Sequence, residues 1–386
     1  MPVLKPQSLI DERVAALRKA HADAHIDRAE LDLSGGIDSA VMACLLVKAL
    51  GPHQVAMVHT IFKTNPEQTA RAGALARALG ADLICLDLSG LFDTLTSQMI
   101  DGIVAAHTAR IQFTSDLIPK GYAFPDGTCR KLPALLDDMT DQIKARCKKD
   151  PTILGSIRST LRAPIGRGIN RLTGGGIRHG TGNECEDRFI RFYQKGGDGE
   201  VDSNPIDFLS KGEVYQLALA LGKDMGPEVM AALLPIIGAT PSPDLWGTGD
   251  AHSDESELLK WLGVPFTYSR ISVETGKYVT VGTIERVARF LDSTVCIPDA
   301  LRTTPKMWER VEYLMFGEAE PNWGLLVARA TETYFPEFTV VEVEAFLKAA
   351  RKAEAATRHK MNPNCPAYGD RRTLVEAGIL TNLLPL

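Results

Sequence analysis

The chain has 386 residues, 45% of them hydrophobic, which is enough to bury the core of one large α/β unit or of two smaller ones. Its net charge of −5 comes without a polybasic run, which argues against nucleic acid or an anionic membrane surface as the principal partner. No apolar run approaches the roughly 20 residues that cross a bilayer, and the first seven residues carry no apolar signal core, so the cytoplasm is the expected compartment.

Residues 9–22 repeat Ile10, Val14 and Leu17 at helical spacing, which predicts an amphipathic helix before a first strand over 29–33. The stretch Leu31-Asp32-Leu33-Ser34-Gly35-Gly36-Ile37-Asp38-Ser39 then sets a glycine-rich turn between that strand and an apolar helix pattern. Gly35 and Gly36 remove the Cβ atoms that would hold backbone amides away from a phosphate. The following helix would aim its unpaired N–H groups and positive dipole end at the same point. Ser34 and Ser39 add hydroxyl donors at the edges. Asp38 is a poor neighbour for a bare polyphosphate but a good one when Mg²⁺ lies between them and shares hard oxygen ligands. The turn lacks the lysine of a GxxxxGK[ST] loop, so γ-phosphoryl transfer is not its natural reading.

Residues 40–50 are apolar nearly all round, as expected of a helix buried against a sheet, and Gly51-Pro52 stops them. A strand over 55–61, a helix over 67–79 ended by Gly80, and a strand over 82–88 follow. This alternation predicts right-handed crossovers and a doubly wound parallel sheet with helices on both faces, whose ligands bind outside the carboxyl ends of the strands. From 90 to 151 the pattern weakens into helical fragments broken by Pro119, Gly121, Pro125 and Gly127, which reads as an inserted or mobile segment. No internal repeat is evident.

Two further glycine turns carry carboxylates: His179-Gly180-Thr181-Gly182-Asn183-Glu184-Cys185-Glu186-Asp187, and Lys195-Gly196-Gly197-Asp198-Gly199-Glu200-Val201-Asp202-Ser203-Asn204-Pro205. Alone, acidic glycine loops are more often solvated turns than metal sites. Three such segments in order point the other way. The SGGxDS loop resembles that of the N-type ATP pyrophosphatases, which cleave ATP between the α and β phosphates and leave AMP on a substrate oxygen. The whole set is similar to ammonia-dependent NAD synthetase: an SGGxDS loop, a GTxxxxE segment, a KxGDGxxDxxP segment, a downstream lysine at Ser210-Lys211, and a PTxDL-like loop at Pro241-Ser242-Pro243-Asp244-Leu245. His359-Lys360-Met361 resembles the His-Lys tail of that family.

The resemblance implies an adenine nucleotide alpha hydrolase-like fold and an AMP-forming amide ligase converting deamido-NAD to NAD. It makes Ser34, Gly35, Gly36, Ile37, Asp38 and Ser39 the pyrophosphate cradle, with Arg162 and Thr181 as further ATP contacts. Lys211 and Ser242 would hold the α-phosphate, and Asp38 and Glu186 would hold Mg²⁺. Lys195, Asp198, Asp202, His359 and Lys360 fall where the family handles its acid substrate. Asp38, Lys211 and Asp198 are the candidate catalytic groups, Asp198 as an aid to deprotonating ammonium. The partners implied are ATP, ammonia from solution or from a separate glutaminase, a carboxylate substrate, and a second copy of the chain in a homodimer.

The chain also departs from the pattern. Arg191 stands where the family has a small residue, and so becomes either an intrusion on the acid site or an anchor for a different acid. Ser242 replaces a threonine, and Asp32 interrupts a strand expected to be apolar on both faces. The expected organisation is one synthetase-like unit with insertions over 90–151 and 260–335, the second a helical subcore around Trp261, Trp308 and Trp323, and a C-terminal helix and tail over 340–386. The run 346–358 reads as a solvated helix face. Seven scattered cysteines without a CxxC pair argue against disulfides and structural zinc. The histidines outside the motifs read as ordinary surface or core residues. Two other readings remain at this level: a relative that amidates another acid, and a non-catalytic nucleotide sensor.

Overall fold

The computed structural model describes residues 3–117, 132–150, 152–194, 196–242, 253–292, 323–357 and 371–381. Strands β1 (Ala29–Asp32), β2 (Val55–Ile61), β3 (Asp82–Asp87) and β4 (Ile177–His179) form one parallel sheet in the order β3-β2-β1-β4. Leu31 pairs with Met57 on one side and with His179 on the other. The first three strands step outward from β1, and the chain then returns to lay β4 on β1's other side. The winding therefore reverses between β1 and β4, which opens a crevice at their carboxyl ends.

One face of the sheet packs on α1 (Pro6–Ala24), α2 (Ile37–Leu50) and α3 (Pro66–Leu79), joined later in the chain by helices described below. Helix α2 buries almost its whole circumference, as its sequence predicts, because it lies between the sheet and other helices. The long return to β4 passes through α4 (Ser89–Leu117), α5 (Leu132–Lys149) and α6 (Thr152–Leu172). The helical fragments expected over 90–151 correspond to α4 and α5. The segment is mostly long helix, Gly102 is absorbed within α4, and the breakers from Pro119 to Gly127 lie outside the described residues.

The sheet's other face explains Asp32. Arg178 of β4 is buried and pairs with Glu30 and, at 2.5 Å, with Asp32, while the Arg162 carbonyl of α6 accepts from the same guanidinium. Glu30 and Arg178 are buried and Asp32 half-buried on this face, which is tolerable because each has an opposite charge in contact. Alternation along β1 does the rest, sending Ala29 and Leu31 to the apolar core and Glu30 and Asp32 to the charged side.

Beyond β4 the chain enters α7 (Lys211–Met225) and α8 (Pro227–Ile237), which join the first core, as do Leu374 and Leu380 near the C-terminus. A second core follows, built by α9 (Asp254–Leu262), α10 (Thr283–Asp292), α11 (Trp323–Tyr334) and α12 (Val340–Thr357), while a hairpin of β5 (Arg270–Ile271) and β6 (Tyr278–Thr280) between α9 and α10 packs Ile271 against the first core. The segment 260–335, expected to be helical, thus also holds a hairpin. Phe266, Phe335, Phe338 and Phe346 stack and cross at ring separations of 5.4–5.9 Å within and beside the second core. Trp261 and Trp323 pack at its margin, and Trp308 lies outside the described residues. Among the described residues of 346–358, the reading as a solvated face holds for Lys348, Lys352 and Ala356. Phe346, Leu347, Ala349, Ala350 and Ala353 are buried on the opposite side of α12, so that helix is a wall of the second core. Among the described residues no helix is long and apolar enough to cross a membrane.

Candidate active site

The glycine loop sits at the carboxyl end of β1. Gly35 has φ +83°, and a Cβ there would strike the Gln68 carbonyl of α3, so only glycine lets the loop lie this close to the helix. Arg71 donates to the Gly35 carbonyl at 3.1 Å, and His59 bridges Leu33 O (2.8 Å) and Thr69 Oγ1 (2.9 Å), which fixes the loop from below. Ser34 and Ser39 share a hydroxyl bond of 3.0 Å, and Ser39 also donates to Gly36 O at 3.0 Å. Among the described residues no side chain caps α2, which leaves its first amides open to a ligand. Ile37 turns its side chain into the core and offers the loop only its backbone.

Across the crevice, the loop after β4 enters a wide helical turn over Glu184–Phe189. Asn183 caps it, accepting from Cys185 N at 3.1 Å and Glu186 N at 3.3 Å, while its amide donates to Asp38 Oδ1 at 3.2 Å. One asparagine thus fixes the separation of the two loops. Helix α7 then opens on Lys211, held by a capping box between Ser210 and Glu213. Lys211 Nζ donates to Asp38 at 2.6 Å and to Glu186 at 2.9 Å, and a third carboxylate, Asp254, lies 3.9 Å away. Burial pulls the Lys211 pKa down, but these three acids outweigh it and hold the ammonium well above the ordinary lysine value. Burial favours the neutral form of Glu186, which the lysine charge opposes; we read the contact as an ion pair.

The far wall comes from the second core. Cys185, Phe189 and Ile190 of the wide turn belong to that core, and the Tyr268 ring covers Lys211 with its centroid 5.5 Å from Nζ. Tyr268 is buried, and among the described residues its hydroxyl has no hydrogen-bond partner. Burial pushes the Asp254 carboxyl up to about 7, with Lys211 opposing.

The other sequence candidates lie around this centre. Thr181 is half-buried on the loop after β4. Arg162 holds its guanidinium 5.8 Å from the Phe62 ring centroid. Asp198 is exposed and accepts from Ser159 Oγ at 2.6 Å and Gln194 N at 2.8 Å. Asp202 is occupied by Arg167 at 2.8 and 2.9 Å and by Arg178 N at 2.8 Å, contacts that fasten its loop to α6 and β4. Arg191 has φ +51° and is buried, with Nη1 donating to Thr357 Oγ1 of α12 at 3.3 Å. Ser242 is exposed near the start of the second core, and Lys195, His359 and Lys360 lie outside the described residues. Sequence reasoning passed over Asn183, which stood inside a quoted motif. It also passed over Asp254 and Tyr268, which carry no local signal beyond a helix start at Ser253.

Asp38 and Glu186 fit a divalent cation. They converge from opposite loops on one positive charge, here the Lys211 ammonium, and both offer hard oxygen donors. Among the described residues no cluster of three or more His, Cys, Asp or Glu forms a complete protein cage, so remaining ligands would come from phosphate and water.

A glycine cradle and an acid–lysine centre at the winding reversal of a parallel sheet define a nucleotide-handling enzyme of the adenine nucleotide alpha hydrolase-like fold. The NAD synthase family model matches residues 9–113 and 140–269. An ammonia-dependent NAD synthetase of Methanosarcina acetivorans is 30% identical over 246 residues, covering 63% of this chain and 73% of that protein. One from Methanosarcina mazei is 28% identical over 283 residues, covering 73% of this chain and 84% of its own length. In fold, the crystal structure of a glutamine-dependent NAD synthetase from Cytophaga hutchinsonii aligns with 94% of this chain and 50% of its own, at TM-score 0.54 and 12% identity. The chain belongs to the NAD synthase family. It is a ligase that forms C–N bonds.

Proposed function

We infer that the chain uses ATP to convert the nicotinate carboxylate of deamido-NAD to the carboxamide, releasing NAD, AMP and pyrophosphate. The observation that carries this reading is the convergence of Asp38, Glu186 and Lys211 where the cradle and the β4 loop meet. The substrate carboxylate attacks the α-phosphorus, pyrophosphate leaves, and ammonia then displaces AMP from the acyl-adenylate. Ser34, Ser39, Thr181 and the uncapped amides of α2 hold the leaving pyrophosphate, and Arg162 and Ser242 add further contacts. Lys211 neutralises charge developing on the α-phosphate oxygens. Asp38 and Glu186 would hold Mg²⁺, which when bound supplies Lewis-acid charge to the phosphates. Asp198, exposed beside the site, takes a proton from ammonium, and Asp202, Lys195, His359 and Lys360 border the dinucleotide. No covalent enzyme intermediate is required, so catalysis rests on positioning and electrostatics.

The same reading includes a homodimer, ammonia drawn from solution or from a separate glutaminase, and one synthetase-like unit that carries the second core as an addition. Amidation of a different acid is the second reading, favoured by the second core packing directly on the turn that bears Glu186. Incubation with Mg-ATP, ammonium and deamido-NAD, followed by liquid chromatography with mass detection, separates the two. NAD in step with AMP supports the first. AMP and pyrophosphate formed only with some other carboxylate would transfer the chemistry to that acid and remove deamido-NAD.

A further inference from the structure

Helix α10 lies beyond residue 269, where the family match ends, and it reaches both elements that carry the charged centre. Glu285 and Arg289 stand one helical turn apart on its buried side. The Glu285 carboxylate accepts from Gly212 N at 3.2 Å and from Ser269 N at 3.0 and 3.1 Å. Gly212 follows Lys211 and is the second residue of α7, so an acid from a distant helix satisfies one of the amides at the helix start that bears the lysine. Arg289 forms a buried ion pair with Glu184, two residues before Glu186. The start of α10 is tied to the strand of chain on either side of Tyr268, through Thr267 N to Thr283 Oγ1 at 2.9 Å and Gly282 N to Ser269 Oγ at 2.9 Å. Gly212 is held tight, since a Cβ there would meet the Tyr278 ring and the Ser269 side chain.

We propose that Glu285 and Arg289 are positioning residues, which together set the distance between Lys211 and Glu186 and so make the second core part of the ATP centre. Glu285 fixes the α7 side and Arg289 fixes the turn side, each through backbone or carboxylate contacts adjacent to the functional residue. Neither touches substrate. The inference rests on the ATP-handling part of the proposed function and is independent of which acid is amidated.

The test uses the full chain carrying Glu285→Gln, Arg289→Lys or Arg289→Met, with Glu337→Gln as control on the outer side of α10, where Glu337 pairs with Arg286. Binding of α,β-methylene-ATP with Mg²⁺ is measured by calorimetry, beside KM and kcat for pyrophosphate release and the melting temperature. Glu285→Gln and Arg289→Met should weaken analogue binding about tenfold and lower kcat by a similar factor. Arg289→Lys should recover part of both, and Glu337→Gln should change neither. Hydrogen exchange in the ligand-free protein should quicken over 184–190 and 211–214 in the first two variants, a readout that needs no ATP. Wild-type exchange and binding in folded Glu285→Gln and Arg289→Lys would overturn the proposal even if Arg289→Met fails to fold. So would an equal binding loss in a Glu337→Gln protein of matched stability. Failure of the wild-type chain to bind the analogue would instead count against the proposed function, and exchange alone would then decide the positioning role.

Discussion

The two walls of the crevice are encoded in different ways. On the sheet side, the loop from Ser34 to Ser39 is written in consecutive residues, and its geometry follows from two glycines, a strand before and a helix after. On the second-core side, Asp254 and Tyr268 come from separate elements and approach Lys211 only after α9 to α12 have packed. A site can therefore have one wall that local sequence specifies and another that exists only as a product of tertiary packing. The first should tolerate damage to distant residues; the second should not.

Lys211 is where the walls meet, and replacing it carries the largest expected effect. Lys211→Met removes the charge facing the α-phosphate, and loss of one such preorganised donor lowers kcat on the order of 10²–10³-fold. It also leaves Asp38 and Glu186 facing each other without a cation. Added Mg²⁺ should then raise the melting temperature of Lys211→Met more than that of the wild type. Equal shifts in the two proteins would break the assignment of those carboxylates to a metal.

Phe346→Ala sharpens the contrast from the second-core side. The ring packs against Phe266, Phe335 and Phe338, so truncation should cost about 3–5 kcal/mol in chemical unfolding. Under conditions where the variant is still folded, kcat should fall several-fold, because the wall over Lys211 loosens. A stability loss with unchanged kcat would show that the wall is rigid without its core. Gly35→Ala attacks the other wall. Forcing an L residue to φ +83° against the Gln68 carbonyl should cost about 1–3 kcal/mol and raise the KM for ATP, while hydrogen exchange in α10 to α12 stays as in the wild type. Faster exchange in those helices would mean that the walls are not separable.

How much of this was legible beforehand follows the same division. The strand–turn–helix alternation gave the sheet and the cradle, because period and glycine placement are local signals. The pairing of Asp32 with Arg178 was not legible, since the two are joined only by the β1–β4 adjacency that the winding reversal creates. Sequence offered Arg191 either as an intrusion on the acid site or as an anchor for a different acid. Its buried guanidinium donates to Thr357 of α12, a long-range contact that sequence does not reveal. The charges of α12 drew attention to its wet side, whereas Phe346 and Leu347 at adjacent positions mark its buried side.

The smallest effect concerns a joint within the first wall. His21 Nδ1 lies 2.7 Å from Ile26 O, its Nε2 lies 3.0 Å from His179 Nε2, and His179 Nδ1 lies 2.7 Å from Ser203 Oγ. If His21 donates to the Ile26 carbonyl, its other nitrogen must accept from His179, whose second nitrogen then accepts from the serine hydroxyl. The series closes with both rings neutral and fails outright when both are charged, because two N–H groups would then face each other across the 3.0 Å contact. Burial agrees, pushing His179 down to about 3 and lowering His21 as well. Because the folded pKa values lie below the unfolded value near 6.5, the unfolded chain binds protons that the folded chain refuses. The contribution is thus complete above that value and is lost as pH falls toward about 3, by ~1.4 kcal/mol per pH unit for one proton. Chemical unfolding of the wild type and His179→Gln at pH 7, 6 and 5 isolates this term from the carboxylates that titrate in both. The wild type should lose stability more steeply, and parallel lines would show that the imidazole pair accepts a proton in the folded state. His179 directly precedes the Gly180–Asn183 loop, so the steeper loss should be accompanied by faster exchange there, on the locally encoded wall, before α12 responds.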